Sequence, residues 1–145
     1  MVQRAVTVLR LGPGGWRRTA HTVSVARRIE RSLRSDPLTR TAEKFGARLD
    51  LASPVNPGNL AFSREEEAAL SIALRTLSYP RFNGTCLRRA LVMADILRDR
   101  SPILRVGVSK RDGEVFAHAW IEIDGVAIDA MRDRTYYVPN EGAAK

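Results

Sequence analysis

The sequence predicts an α+β domain in which N-terminal helices pack on a C-terminal antiparallel sheet. Three observations carry this. Apolar residues recur at helical spacing up to Leu97, the period switches to two from Leu104, and Asp124-Gly125 punctuates the alternating region as a two-residue hairpin signal. Helices followed by a meander imply helices laid on one face of a sheet.

Residues 2–11 are apolar but too short to assign, and Gly12-Pro13-Gly14-Gly15 reads as a break. From Trp16 to Leu33, Val25, Ile29 and Leu33 fall at i, i+4, i+8 among Arg27, Arg28, Arg31 and Arg34, giving a basic amphipathic helix. Ser35-Asp36-Pro37 ends it. Residues 38–50 fit a short second helix with Phe45 and Leu49 on one side, weakened by Gly46. Residues 51–62, rich in Pro, Asn and Gly, read as a loop.

Ser63 and Glu66 then form a capping box, and Leu70, Ala73, Leu74 and Leu77 make one buried stripe. Tyr79-Pro80 closes that helix, because the residue before proline is pushed out of the helical region. After the Asn83-Gly84 turn, Thr85 is the expected N-cap, its hydroxyl accepting from a first-turn N–H. Leu87, Ala90, Leu91, Ala94 and Leu97 line one face of the next helix, with Arg88, Arg89, Asp95 and Arg98 off it. Leu104, Val106 and Val108 alternate with Arg105, Gly107 and Ser109, a half-buried strand. Lys110 to Gly113 turns the chain, Val115–Ile123 and Val126–Met131 are the next strands, and Tyr136-Tyr137-Val138 is a candidate edge strand. The organisation is a basic helical region over residues 1–62 and a core over 63–145, in one compact domain.

Length and composition bound the function. The 145 residues suffice for one core, and 44% hydrophobic with 28% charged residues is ordinary for a globular chain. No apolar run reaches a membrane span, and the N-terminus lacks the cleavage site of a signal peptide. A single cysteine rules out an intrachain disulfide, so a reducing, cytoplasmic setting is expected. Two distant histidines, His21 and His118, give no metal-ligand spacing; neither a metal nor another cofactor is expected. The net charge is +8, and residues 1–50 hold eleven Lys/Arg against four acids. Such an end fits an acidic partner or a solvated face. Aromatics at 6%, not interleaved with the basic residues, argue against nucleic acid.

The only cysteine, Cys86, stands where the Asn83-Gly84 turn becomes a helix. Unpaired N–H groups and the positive end of the helix dipole favour a thiolate there; a small buried hydrophobe is the plainer reading of a lone cysteine. If Asp124 and Gly125 are the central turn residues, Ile123 opposes Val126 and His118 opposes Met131. Asp129 then shares a face with His118 and is its diagonal neighbour. Trp120 shares that face. Cys86, His118 and Asp129 form the set a thiol hydrolase needs: nucleophile, proton carrier and orienting acid. The Cys86 N–H is an oxyanion donor, with Asn83 a candidate second. Asp124 is better explained as a turn residue, and Asp133 is an alternative acid. A strand histidine satisfied by neighbouring groups is the competing structural reading of His118. His21 reads as surface or linker.

Arg81-Phe82-Asn83-Gly84-Thr85-Cys86-Leu87-Arg88-Arg89-Ala90-Leu91, then Val106-Gly107-Val108, then Ala117-His118-Ala119-Trp120-Ile121-Glu122-Ile123-Asp124-Gly125, resemble the transglutaminase-like leader peptidases of lasso peptide biosynthesis, over about residues 63–131. The resemblance implies a papain-like, transglutaminase-type fold, with Cys86, His118 and Asp129 as the triad of a cysteine protease. The substrate would be a ribosomally made precursor peptide, cut at its leader. A separate asparagine-synthetase-like cyclase would then close the ring. Residues 1–62 do not read as the strand-containing leader-recognition domain of fused members. A split form, dependent on a separate leader-binding protein, is therefore implied, with the basic helix as a docking surface. An acyl transferase on the same triad and a non-catalytic basic adaptor are the alternative functions.

Overall fold

The computed structural model describes residues 12–51, 60–111 and 114–128. The first helix, α1, spans Pro13–Ser35, with Gly12 as N-cap and Pro13 in its first turn. The Gly-Pro-Gly-Gly segment thus starts the helix instead of breaking the chain, because proline lacks only an N–H that the first turn leaves unpaired anyway. Val25 and Ile29 are buried and Leu33 partly so, as their spacing requires.

Helix α2 covers Leu38–Lys44. Gly46, at φ 80°, ends it, and a Cβ there would lie 2.6 Å from the Arg98 Cβ. The next residues form a two-residue strand, β1 (Arg48–Leu49), where helix was expected. Two residues are too few to carry a period, and β1 pairs with a strand more than fifty positions later.

Helix α3, Arg64–Leu77, starts at the expected capping box: Glu66 N donates to Ser63 Oγ at 3.2 Å, and Ser63 N to Glu66 Oε2 at 2.7 Å. A 3₁₀ turn, Pro80–Phe82, leads to α4, Cys86–Ile96. Helix α4 is buried nearly all round, Val92, Met93 and Asp95 included. It is the central helix, so the one-sided stripe expected of it is a correction: Asp95, placed off the apolar face, is buried.

Strands β2 (Ile103–Arg111), β3 (Glu114–Ile123) and β4 (Val126–Ile128) follow. The sheet order is β1-β2-β3-β4, antiparallel except for the parallel β1–β2 pair, so the sheet is mixed instead of purely antiparallel. Ile123 opposes Val126, the register expected of an Asp124-Gly125 turn. The expected strand residues Asp129 to Met131 and the Tyr136-Tyr137-Val138 edge lie outside the described residues, as does most of the 51–62 loop.

Strand alternation separates two faces. Leu104, Ala119, Ile121 and Ile123 join the core built with α1, α2, α3 and α4. Arg105, His118, Trp120 and Glu122 point the other way. All four are buried, and Trp120 stands outside the helix-backed core. The half-buried strand expected at Leu104–Val108 is therefore corrected on its polar side: Arg105 is 2% exposed. Alternation of apolar and polar residues marks two faces without saying that the polar one is wet.

Candidate active site

Three residues set Cys86 in place. Asn83 adopts the left-handed conformation (φ 44°) that caps the 3₁₀ turn. Gly84 passes so close to α3 that a Cβ would lie 2.2 Å from the Leu77 carbonyl oxygen. Arg89 Nε donates to the Gly84 carbonyl at 2.8 Å. Thr85 is the N-cap in backbone geometry, but its side chain makes no cap hydrogen bond. Its hydroxyl accepts from Arg88 Nη1 at 3.1 Å instead. The expected use of Thr85 is thus corrected: the guanidinium one turn on takes the oxygen that the helix N–H groups were expected to take.

Cys86 is the first residue of α4, partly buried and packed against the helix-backed core. Helix α4 runs along β3, the strand of His118. His118 is 3% exposed and lies opposite Gly107 of β2, so no side chain stands directly across from it on that strand. Its ring stacks on Trp120 with centroids 5.9 Å apart and planes 19° from parallel. Strand parity turns His118 away from the helix-backed core against which Cys86 packs, so the structure places the two on neighbouring elements, α4 and β3, without bringing them to one face of the sheet. Asp124 is exposed at φ 52°, in the hairpin turn. Asp129 and Asp133 lie outside the described residues.

His21 is on α1, its side chain 59% exposed, with Nε2 3.1 Å from Asp95 Oδ2. Asp95 Oδ1 also accepts from Arg98 Nη2 at 2.7 Å. The surface placement expected of His21 is observed, with a buried carboxylate as its partner.

A second polar group went unread in the sequence. Arg105 on β2 donates through Nε to Glu122 Oε2 at 2.6 Å and through Nη1 to the Asp50 carbonyl at 3.2 Å. Its Nη1 also lies 3.2 Å from Asp50 Oδ1. The signal was there in part: Glu122 has the parity of His118 and Trp120 on one strand.

A family model described as the transglutaminase-like superfamily matches residues 63–141, just over half of the chain. The chain belongs to the transglutaminase-like superfamily. Comparison with curated proteins and with solved structures found no match. The matched segment begins at the capping-box residue of α3 and includes both Cys86 and His118. An α+β transglutaminase-like domain is compatible with cysteine peptidase or acyl transfer chemistry. Among the described residues, no helix is long and apolar enough to cross a membrane.

Proposed function

We propose that this transglutaminase-like protein is a cysteine peptidase that removes the leader from a lasso peptide precursor. The observation that carries the reading is Cys86 as the first residue of a buried helix packed along the strand of His118, inside a transglutaminase-like domain. In the proposed reaction Cys86 Sγ attacks the scissile carbonyl carbon and the thiol proton passes to His118. The tetrahedral oxyanion is met by the Cys86 N–H at the helix start. His118 returns the proton to the leaving amine, and water then hydrolyses the thioester, restoring the thiol. Asp129 is assigned to orient the imidazole.

The partners follow from the same reading: a separate leader-binding protein and an asparagine-synthetase-like cyclase that consumes the freed amine. The exposed side of α1 offers a docking face for an acidic protein surface. It presents Arg17, Arg27, Arg28, Arg31 and Arg34 with Trp16 at 48% exposure. The one acid within the helix, Glu30, is already engaged by Arg88. Oppositely charged faces speed encounter and fix orientation.

The test is to incubate the protein with a leader-binding partner and a precursor, and to follow leader release by mass spectrometry. Cys86→Ala and His118→Ala should each abolish release; a Cys86→Ala protein that cleaves like the parent rules out the mechanism. Repeating the assay with a primary amine in excess separates peptidase from acyl transferase, because transfer adds the amine's mass to the product.

A further inference from the structure

We propose that Arg105 and Glu122 are positioning residues for His118, acting through Trp120. The proposal rests on the reading of His118 as the proton carrier, and it names one support of that ring.

The observations lie on one face of the sheet. His118, Trp120 and Glu122 follow one another along β3 at the two-residue repeat, and Arg105 stands directly across the ladder from Trp120. The indole is thus flanked by the imidazole on one side and the Arg105–Glu122 pair on the other. The pair is dry, with Arg105 2% and Glu122 1% exposed. It is also tightly fixed, since Nε and Nη2 both lie 2.6 Å from Glu122 Oε2. Asp50, beyond the end of β1, holds Nη1 from the far side.

Stability does not explain why this pair is charged. Among the described residues, Glu122 Oε1 is buried with no hydrogen-bond partner, and an unsatisfied buried acceptor is destabilising. An apolar pair of the same volume is commonly neutral or stabilising relative to a buried ion pair. What the charges add is direction. A guanidinium fork locked between two carboxylates has one orientation, where Met and Leu have several. A wall of one shape leaves the indole one place, and the imidazole stacks on it.

The test uses the full chain with His21→Gln, which leaves His118 as the only histidine. In the parent, the His118 ring protons should resonate upfield through the ring current of Trp120, with Trp120→Ala giving the unstacked position. R105M/E122L removes both charges together and keeps the volume. Its far-UV spectrum and melting should match the parent, while the His118 signals move toward the unstacked position. Leader removal should fall roughly tenfold in kcat, since small misplacements of a reacting group are expensive, with KM changed less than about twofold. R105K gives a second arm with the charge kept: one ammonium cannot span Glu122 and Asp50 as the fork does, and the same movement is expected. Signals that stay in place in R105M/E122L and R105K, or that move with kcat unchanged, overturn the proposal. If the parent cleaves no precursor, the peptidase reading fails, and the His118 signals alone decide whether the pair holds the ring.

Discussion

Arg88, two residues into the helix that starts with Cys86, grips Glu30 of α1 with Nε and Nη2. The basic N-terminal helix is thereby tied to the turn of α4 that presents the thiol. The hydrogen bond from Arg88 holds the Glu30 carboxyl below the usual glutamate range, with the Arg88 and Arg34 charges adding to it against the opposing effect of burial. The Arg88 guanidinium is shifted up by the same bond.

A pH dependence follows from that lowered value. A carboxyl that binds its proton less readily folded than unfolded contributes stability above its unfolded value, near 4.5, and loses it as pH falls through the folded value. Glu30→Gln should therefore narrow the loss of stability below pH 4.5, read from urea midpoints at stepped pH. Arg88→Met should lower stability at pH 7 by about 1 kcal/mol, the upper range for partly exposed pairs.

Gly84→Ala should displace the start of α4. The added methyl would meet the Leu77 carbonyl, part of the helix backbone, which cannot turn aside as a side-chain tip could. A loss of about 1–3 kcal/mol is expected, in the range of overpacked sites. Thermal unfolding measures it, and the rate of Cys86 alkylation in the folded protein should change with it.

At the start of α3, Ser63→Ala should cost about 1 kcal/mol through loss of the cap. Glu66→Ala should cost more. Glu66 closes the box and also accepts from Arg100 Nε and Nη2, both at 2.7 Å. Urea denaturation of the two variants should rank them in that order.

Asp95→Ala should destabilise by about 1 kcal/mol, because the Arg98 and His21 side chains it releases are half exposed and water can replace the lost acceptor. It removes the acceptor of Arg98 and the partner of His21 from a buried position. Asp95→Asn, which keeps an oxygen in place, should recover part of that loss in a melting experiment.

Local rules were readable where local physics decides. Ser63 and Glu66 needed only each other, and the β3–β4 register needed only Asp124-Gly125. What escaped depends on distant chain. Arg48 and Leu49 are strand only because Ile103 and Leu104 lie beside them. Arg105 is buried because Glu122 and Asp50 neutralise it, which its own alternating neighbourhood does not announce. Thr85 lies between the two cases: its backbone obeys the N-cap rule, while Arg88 redirects its hydroxyl. Of the candidate site, Cys86 at a helix start and His118 with Trp120 on one strand face were legible, whereas the side of the sheet on which α4 packs, away from His118, was not.

The parallel seam between β1 and β2 bears on how the protein can be shortened. A fragment starting at Ser63 would keep the family-matched segment and both candidate catalytic residues described. It would also strip Val25, Ile29 and Phe45 from the core and leave one side of β2 without its neighbour. A bared strand edge recruits other chains, so such a fragment should precipitate or self-associate on expression. The boundary that separates family from flank in the sequence thus runs through the middle of what has to fold together.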